Sequence, residues 1–255
     1  MANRRIIPSL LVQGERLVKT ERFRHPVYVG DPINAVRIFN EKEVDELVVL
    51  DIEAGKSGRE PNYGLVERIA GECFMPLCYG GGVATLEQAR RLFSSGVEKI
   101  SINAAADRTP GLVSEIASQY GRQAVMVSVD VARGWWGRAR RVRGRGPSAG
   151  STDWKGLVQR LVDAGAGEVL LTDVDREGTR QGYDLGLIAD AARGLDVPLV
   201  VAGGAATHGD IASAFDAGAS AVAVGAMFVF HGPHKGVLIS YPSPAKVQAL
   251  TLRRA

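Results

Sequence analysis

One stretch of this chain occurs twice. Pro76-Leu77-Cys78-Tyr79-Gly80-Gly81-Gly82, followed by Thr85, returns as Pro198-Leu199-Val200-Val201-Ala202-Gly203-Gly204, followed by Thr207. The offset is 122 residues at each matched position (198 − 76, 203 − 81, 207 − 85). The first copy reads as a short apolar strand entering a turn of glycines, and Thr85-Leu86-Glu87-Gln88 is a capping-box pattern that predicts a helix start. Glu46 and Glu168, Gly96 and Gly218, and Asn103 and Gly225 stand at the same offset. Each half of the fold therefore supplies equivalent strands, glycine turns and capped helices.

Short apolar runs alternate with helical patterns along the whole chain. Strands are predicted over 6–12, 46–52, 76–79, 98–103, 124–130, 168–173, 198–202 and 220–225. Residues 16–19 read as a hairpin partner of the first strand, and the tail from Ser243 as weakly helical. Asp31-Pro32 places an aspartate at a helix N-cap and a proline at the first helical position. Strand–helix alternation argues for an α/β fold with a parallel sheet. The count of eight strands and the length of 255 residues favour a closed (β/α)8 TIM barrel over an open doubly wound sheet. It is expected as one domain with half-barrels of about 1–122 and 123–255. A net charge of +3 does not point to nucleic acid. Cys73 and Cys78, in or beside an apolar strand, read as buried, unreactive thiols rather than a disulfide or zinc framework, as suits a reducing cytosol. No run approaches the ~20 apolar residues of a membrane helix, so a soluble, cytoplasmic protein with no membrane partner is expected.

In such a barrel, function collects at the C-terminal ends of the strands. There the sequence places Leu11, Asp51, Gly81, Gly82, Asn103, Asp130, Asp173, Gly203, Gly204 and Gly225. Two glycine turns, each followed by a capped helix, read as two anion grips facing each other across the mouth, suited to a substrate with a phosphate at each end. The competing reading is that these glycines only make tight turns. Asp130 ends an apolar run, a position that favours an acid/base role over a structural acceptor. Asp51 and Asp173 are open to either role, and Lys19 is a phosphate contact or an exposed lysine. Gly55-Lys56-Ser57 lacks the earlier glycine of a phosphate loop. His231 and His234 have no third ligand nearby in sequence and read as loop residues; no metal is expected. Six arginines lie between Arg133 and Arg145, interleaved with Trp135 and Trp136. They read as a solvated loop over the mouth, or as a grip for phosphate, nucleic acid or an acidic partner.

Arg5-Ile6-Ile7, Val49-Leu50-Asp51-Ile52, Tyr79-Gly80-Gly81-Gly82, residues 98–103, Asp130, residues 166–171, Asp175-Arg176-Glu177-Gly178-Thr179 and Gly182-Tyr183-Asp184 together resemble the cyclase subunit of imidazole glycerol phosphate synthase, the HisF family, over nearly the whole chain. The resemblance implies a two-fold-repeated barrel of the ribulose-phosphate-binding type. It implies a reaction in which ammonia from a partner glutaminase closes an imidazole ring on a substrate with two phosphates, releasing a carboxamide ribotide, with no cofactor. Carried over residue by residue, it makes Asp130 catalytic. It gives Lys19, Asp51, Gly81, Gly82, Asn103, Asp173, Gly178, Gly203, Gly204, Gly225 and Ala226 to substrate and phosphate binding. It gives Arg5, Glu46, Lys99 and Glu168 to a charged ring that gates ammonia at the barrel floor; the plain alternative is a salt-bridge cluster sealing that floor.

The departures carry as much information. Leu11 stands where the family has its second catalytic aspartate, Ser9 where it has cysteine, Ala104 where threonine is usual, Glu177 where aspartate is usual and Ala206 where glycine is usual. A leucine cannot transfer a proton. Residues 30–36, 38–47, 72–76, 228–232 and 237–242 resemble the family's glycosyl amidation-associated branch, whose members are thought to supply ammonia, with a glutaminase and a separate sugar amidotransferase, for bacterial surface polysaccharide. The expectation is therefore ammonia delivery within a glutaminase heterodimer. The alternatives are a true cyclase using Asp130 alone or with Asp51, and a non-catalytic scaffold that activates its glutaminase.

Overall fold

The computed structural model of the chain describes residues 4–134, 139–142, 153–232 and 234–252. Eight strands form the barrel: β1 (Arg5–Gln13), β2 (Leu47–Asp51), β3 (Leu77–Gly80), β4 (Lys99–Ile102), β5 (Val125–Arg133), β6 (Glu168–Asp173), β7 (Leu199–Ala202) and β8 (Ala221–Val224). Each pairs in parallel with the next. β8 pairs back onto β1 from Arg5↔Ala221 to Pro8↔Val224, so the sheet closes. The molecule is a (β/α)8 TIM barrel, as the strand count and the repeat imply.

The outer layer comprises α1 (Pro32–Glu41), α2 (Tyr63–Glu72), α3 (Leu86–Ser94), α4 (Gly111–Tyr120), α5 (Trp154–Asp163), α6 (Leu185–Ala192), α7 (His208–Asp216) and α8 (Pro244–Thr251). Helix starts follow the sequence signals. The Asp31 side chain accepts from the Asn34 N–H with Pro32 in the first turn. Thr85 forms a capping box with Gln88, and its repeat partner Thr207 forms one with Asp210. A short 3₁₀ turn, Arg122–Ala124, stands where the two halves meet.

Strand alternation sorts the core into two layers. Ile6, Leu10 and Val12 of β1 face the helices. Ile7, Val48, Cys78, Met126, Leu170, Val200, Ala221 and Ala223 fill the barrel interior. Full burial of the larger of these side chains contributes ~1.5–3 kcal/mol each. Cys78 is fully buried and Cys73 half-buried, both as free thiols. Burial pushes the Cys73 thiol up to about 11 and the Cys78 thiol higher still, which makes both unreactive.

Two antiparallel extensions rise from the mouth. The predicted partner of β1 is the strand Arg16–Glu21, and a second strand, Arg24–Gly30, completes the hairpin. β5 carries its own return strand, Ala139–Arg141. Of the arginine-rich segment, Arg133, Arg140 and Arg141 are described; Trp135, Trp136 and the remaining arginines lie outside the described residues. Among the described residues, no helix is long and apolar enough to cross a membrane.

Candidate functional site at the barrel mouth and floor

Alternation along β5 aims Ser128 and Asp130 to the same side as interior Met126, and along β1 aims Ser9 and Leu11 to the side of Ile7. The Asp130 carboxylate accepts a hydrogen bond from Asn103 Nδ2 at 2.7 Å and is also bonded by the Thr172 side chain. Burial pushes its pKa up to about 6, against the lowering effect of Asn103 and Thr172. A carboxyl that titrates there exchanges protons readily near neutral pH. Leu11, 9% exposed, brings only hydrocarbon to the equivalent end of β1.

Asp51 and Asp173 are repeat partners with matching local roles. Asp51 Oδ1 accepts from the N–H groups of Glu53 (2.8 Å) and Ala54 (2.9 Å). Asp173 Oδ1 accepts from the Asp175 N–H at 3.1 Å, and its other oxygen lies 3.5 Å from Arg176 Nε. Burial, with Asp175 and Asp184 adding repulsion, pushes Asp173 up to about 6. The glycine turns lie against these aspartates. A Cβ on Gly81 would come 2.5 Å from the Asp51 carbonyl oxygen, and one on Gly203 2.4 Å from that of Asp173. Gly82 and Gly204 are equally confined, by the Arg59 and Gly182 carbonyls. All four have positive φ. Backbone packing alone thus demands glycine here, in the same way in both halves.

Asn103 and Gly225 end β4 and β8 and precede the one-turn helices Ala104–Arg108 and Ala226–Val229. Their backbones match, with φ/ψ of −112°/−94° and −107°/−86°. Ala226 opens the second of these helices. Lys19 is not an exposed lysine. It is 3% accessible, and its Nζ donates to the Ser9 carbonyl at 2.5 Å. A Cβ on Gly225 would approach that Nζ to 2.6 Å, so Lys19 and Gly225 share one corner of the mouth. Burial lowers the Lys19 pKa to about 8, with Glu177 opposing. Gly178, at φ +73°, lies against the Thr20 carbonyl, where a Cβ would come within 2.1 Å.

Two contacts escape sequence reasoning. Glu177, visible in sequence only as an unusual residue, accepts from Thr20 Oγ1 (3.0 Å) and from the Phe23 N–H (3.0 Å), tying the β1 hairpin to the loop after β6. Arg141, one of a run of arginines, makes an almost fully buried ion pair with Asp107 at 2.7 Å. Nothing in the run singles out Arg141, because its partner lies on another element.

At the floor, Arg5, Glu46, Lys99 and Glu168 come together in one ion-pair cluster. Lys99 Nζ lies 2.8 Å from Glu46 and 2.6 Å from Glu168, and Arg5 pairs with both carboxylates through its two terminal nitrogens. Glu46 and Glu168 are buried. Burial works against the charge on Arg5 and Lys99, but Glu168 and Glu46 outweigh it and hold both cations above their ordinary values. Inward from the ring come the aliphatic layer and then a hydroxyl layer, where Ser101 and Ser128 are hydrogen-bonded and Thr172 reaches Asp130.

A family model described as histidine biosynthesis protein matches residues 5–234. A Pseudomonas aeruginosa PAO1 protein provisionally named imidazole glycerol phosphate synthase subunit hisF2 is 48% identical over 255 residues, covering 97% of this chain and 99% of the relative. A Vibrio vulnificus YJ016 protein, provisionally named as subunit hisF3 of the same synthase, is 45% identical over 99% of this chain and 98% of its own length. The imidazole glycerol phosphate synthase subunit HisF of Thermobifida fusca is 40% identical over 89% of this chain and 90% of its own.

Proposed function

The chain belongs to the HisF family of imidazole glycerol phosphate synthase subunits, and from that premise we propose that it receives ammonia from a glutaminase partner and delivers it, in the cytoplasm, for amidation of a bacterial surface-polysaccharide sugar. The observation that carries this reading is the contrast between the two ends of the barrel. The charged ring of Arg5, Glu46, Lys99 and Glu168 is complete. At the mouth, Asp130 keeps one of the two carboxyls that ring closure uses in the family, and Leu11 stands in place of the other. General acid–base catalysis by a positioned group typically contributes ~10²–10⁴-fold, so loss of one group removes much of the cyclisation rate. Moving a neutral ammonia molecule needs no second acid.

In this mechanism the glutaminase docks on the floor. Lys99, held by two carboxylates rather than by packing alone, swings aside while Arg5 keeps both acids paired. Ammonia crosses the interior past Ser101, Ser128 and Thr172, whose hydroxyls accept and donate hydrogen bonds in turn. At the mouth, ammonia emerges beside Asp130, whose carboxylate accepts a hydrogen bond from it, and Lys19 offers its ammonium to phosphate on the acceptor. A separate sugar amidotransferase completes the transfer.

A true cyclase is the second reading, favoured by the intact Asp130–Asn103 pair and the matched glycine turns. A scaffold that only activates its glutaminase is a third. The deciding experiment incubates the purified protein with ammonia and the ribotide substrate of the family reaction. Negligible release of carboxamide ribotide is expected, and a robust rate overturns the amidation reading. Leu11→Asp, which restores the second carboxyl, should raise that release by ~10²-fold or more if the mouth keeps the phosphate geometry.

A further inference from the structure

A cavity of about 1290 Å³ lies at the mouth, walled among the described residues by the β1 hairpin, by β5 and its return strand, by the loop after β6 and by Phe230, His234 and Lys235. None of Asp130, Gly81, Gly82, Gly203 and Gly204 is among its described lining residues. It shares Lys19 and Gly178 with the expected substrate-binding set but extends outward from the glycine turns, and its composition is one-sided. Seven lysines and arginines line it against two carboxylates, Glu21 and Asp175. Four of the seven are engaged: Arg141 with Asp107, Arg133 with Asp184, Lys235 with Glu21, and Lys19 beside Glu177. Arg22 donates to the Asp175 backbone carbonyl. Arg24 and Arg140 are exposed and have no carboxylate partner among the described residues. They stand on different hairpins and line the same space. Phe23, Val27 and Phe230 add apolar surface to the same walls.

Confined charge of one sign raises the local concentration of counter-charged ligand. Guanidinium groups match phosphate oxygens with paired, charge-assisted hydrogen bonds. Aromatic rings beside arginines offer stacking surface to a nucleobase. Small-ligand pockets run ~300–1,000 Å³, so this chamber is far larger than a single phosphate needs and has room for a nucleotide. We propose that it binds a nucleoside diphosphate, with Arg24 and Arg140 on the diphosphate and Phe23 or Phe230 against the base. The inference deepens the amidation reading and rests on it: the sugar to be amidated is presented as a nucleoside diphosphate ester, its diphosphate in the chamber and its sugar toward the mouth.

The test is calorimetric titration of the full-length chain, without glutaminase or ammonia, at low salt. The probes are uridine diphosphate, adenosine diphosphate, uridine, inorganic phosphate and a short single-stranded oligonucleotide. At least one diphosphate should bind tenfold or more tightly than inorganic phosphate or uridine. Arg24→Ala with Arg140→Ala should weaken it by roughly tenfold per arginine, and Arg24→Lys with Arg140→Lys should recover part of the loss. Both side chains are exposed, so a thermal melt confirms that the variants fold. Diphosphates that bind no better than inorganic phosphate, or equally well to the alanine variant, overturn the proposal. Tight oligonucleotide binding without diphosphate binding assigns the chamber to nucleic acid and also overturns it. Because the titration uses no ammonia chemistry, diphosphate binding alongside robust ribotide cyclisation keeps the chamber and removes only the sugar-amidation reading.

Discussion

Asp130 keeps its carboxyl where the protein resists its charge. Its pKa rises from 3.8 to about 6, chiefly through burial, so the folded chain holds the proton more tightly than the unfolded chain does. Between those two values the native state binds more protons, and this group's contribution to stability falls as pH rises. Above pH 6 the penalty is fully present; below about pH 4 it vanishes. Asp130→Asn should therefore stabilise the fold at pH 7 by on the order of 1–2 kcal/mol, a rise in Tm of roughly 2–8 °C. It should have no stabilising effect at pH 4. Thermal melts at the two pH values check this, and an equal gain at both would mean that packing, not titration, is responsible. Lys19 obeys the opposite arithmetic. Its lowered pKa makes its contribution to stability rise with pH from about 8 toward 10.5. A bound phosphate that restores its charge would remove that dependence. At both positions the fold forgoes stability by burying an ionisable group.

The β1 hairpin shows what the sequence conceals at the level of elements. Its closing pair is Glu21↔Arg24, leaving the two-residue turn Arg22-Phe23 with φ of 53° and 60°. Turns with two positive φ values normally advertise themselves as Asn-Gly or Asp-Gly; an arginine and a phenylalanine give no such signal. What holds the turn comes from 150 residues away in sequence: the Arg22 N–H donates to the Glu177 carbonyl at 2.9 Å, and the Phe23 N–H to the Glu177 carboxylate. By contrast, the strands, the Asp31-Pro32 start and the Thr85 capping box were legible, because local pattern determines them. So was the Thr207 start, which the repeat exposes. The one-turn helices after Asn103 and Gly225 were not, since they are too short to show a period. Nor was the Arg141–Asp107 pair, whose members have no fixed spacing. Glu177→Ala should release the hairpin tip, raising amide exchange over residues 20–30 by tenfold or more while lowering global stability by only ~1–3 kcal/mol. Hydrogen exchange with mass spectrometry reads this directly. Unchanged protection of that segment would show that strand pairing alone holds the hairpin.

At the scale of the molecule, the repeat that builds the barrel also sets what its two ends can do. Each half contributes one acid to the floor, Glu46 and Glu168, and one glycine turn to the mouth. The cations that complete the ring, Arg5 and Lys99, both come from the first half. The ring is therefore symmetric in its acids and asymmetric in its bases. Arg5 spans both carboxylates with a planar group well suited to a fixed bridge, whereas Lys99 presents a single ammonium on a flexible stem, the better of the two to move. Removing one partner from a buried ion pair typically costs ~3–5 kcal/mol, but here each acid keeps Arg5, so a loss toward the lower end of that range is expected for Lys99→Ala. The functional consequence is sharper. In complex with the glutaminase, Lys99→Ala should disconnect glutamine hydrolysis from transfer: glutamine-dependent product falls by tenfold or more, while product formed from added ammonium changes little. Parallel assays with the two nitrogen sources separate the possibilities. If glutamine-dependent product is unchanged, the ring is a structural plug and ammonia reaches the mouth by another route; if both sources fail together, the substitution has damaged the mouth through the barrel core.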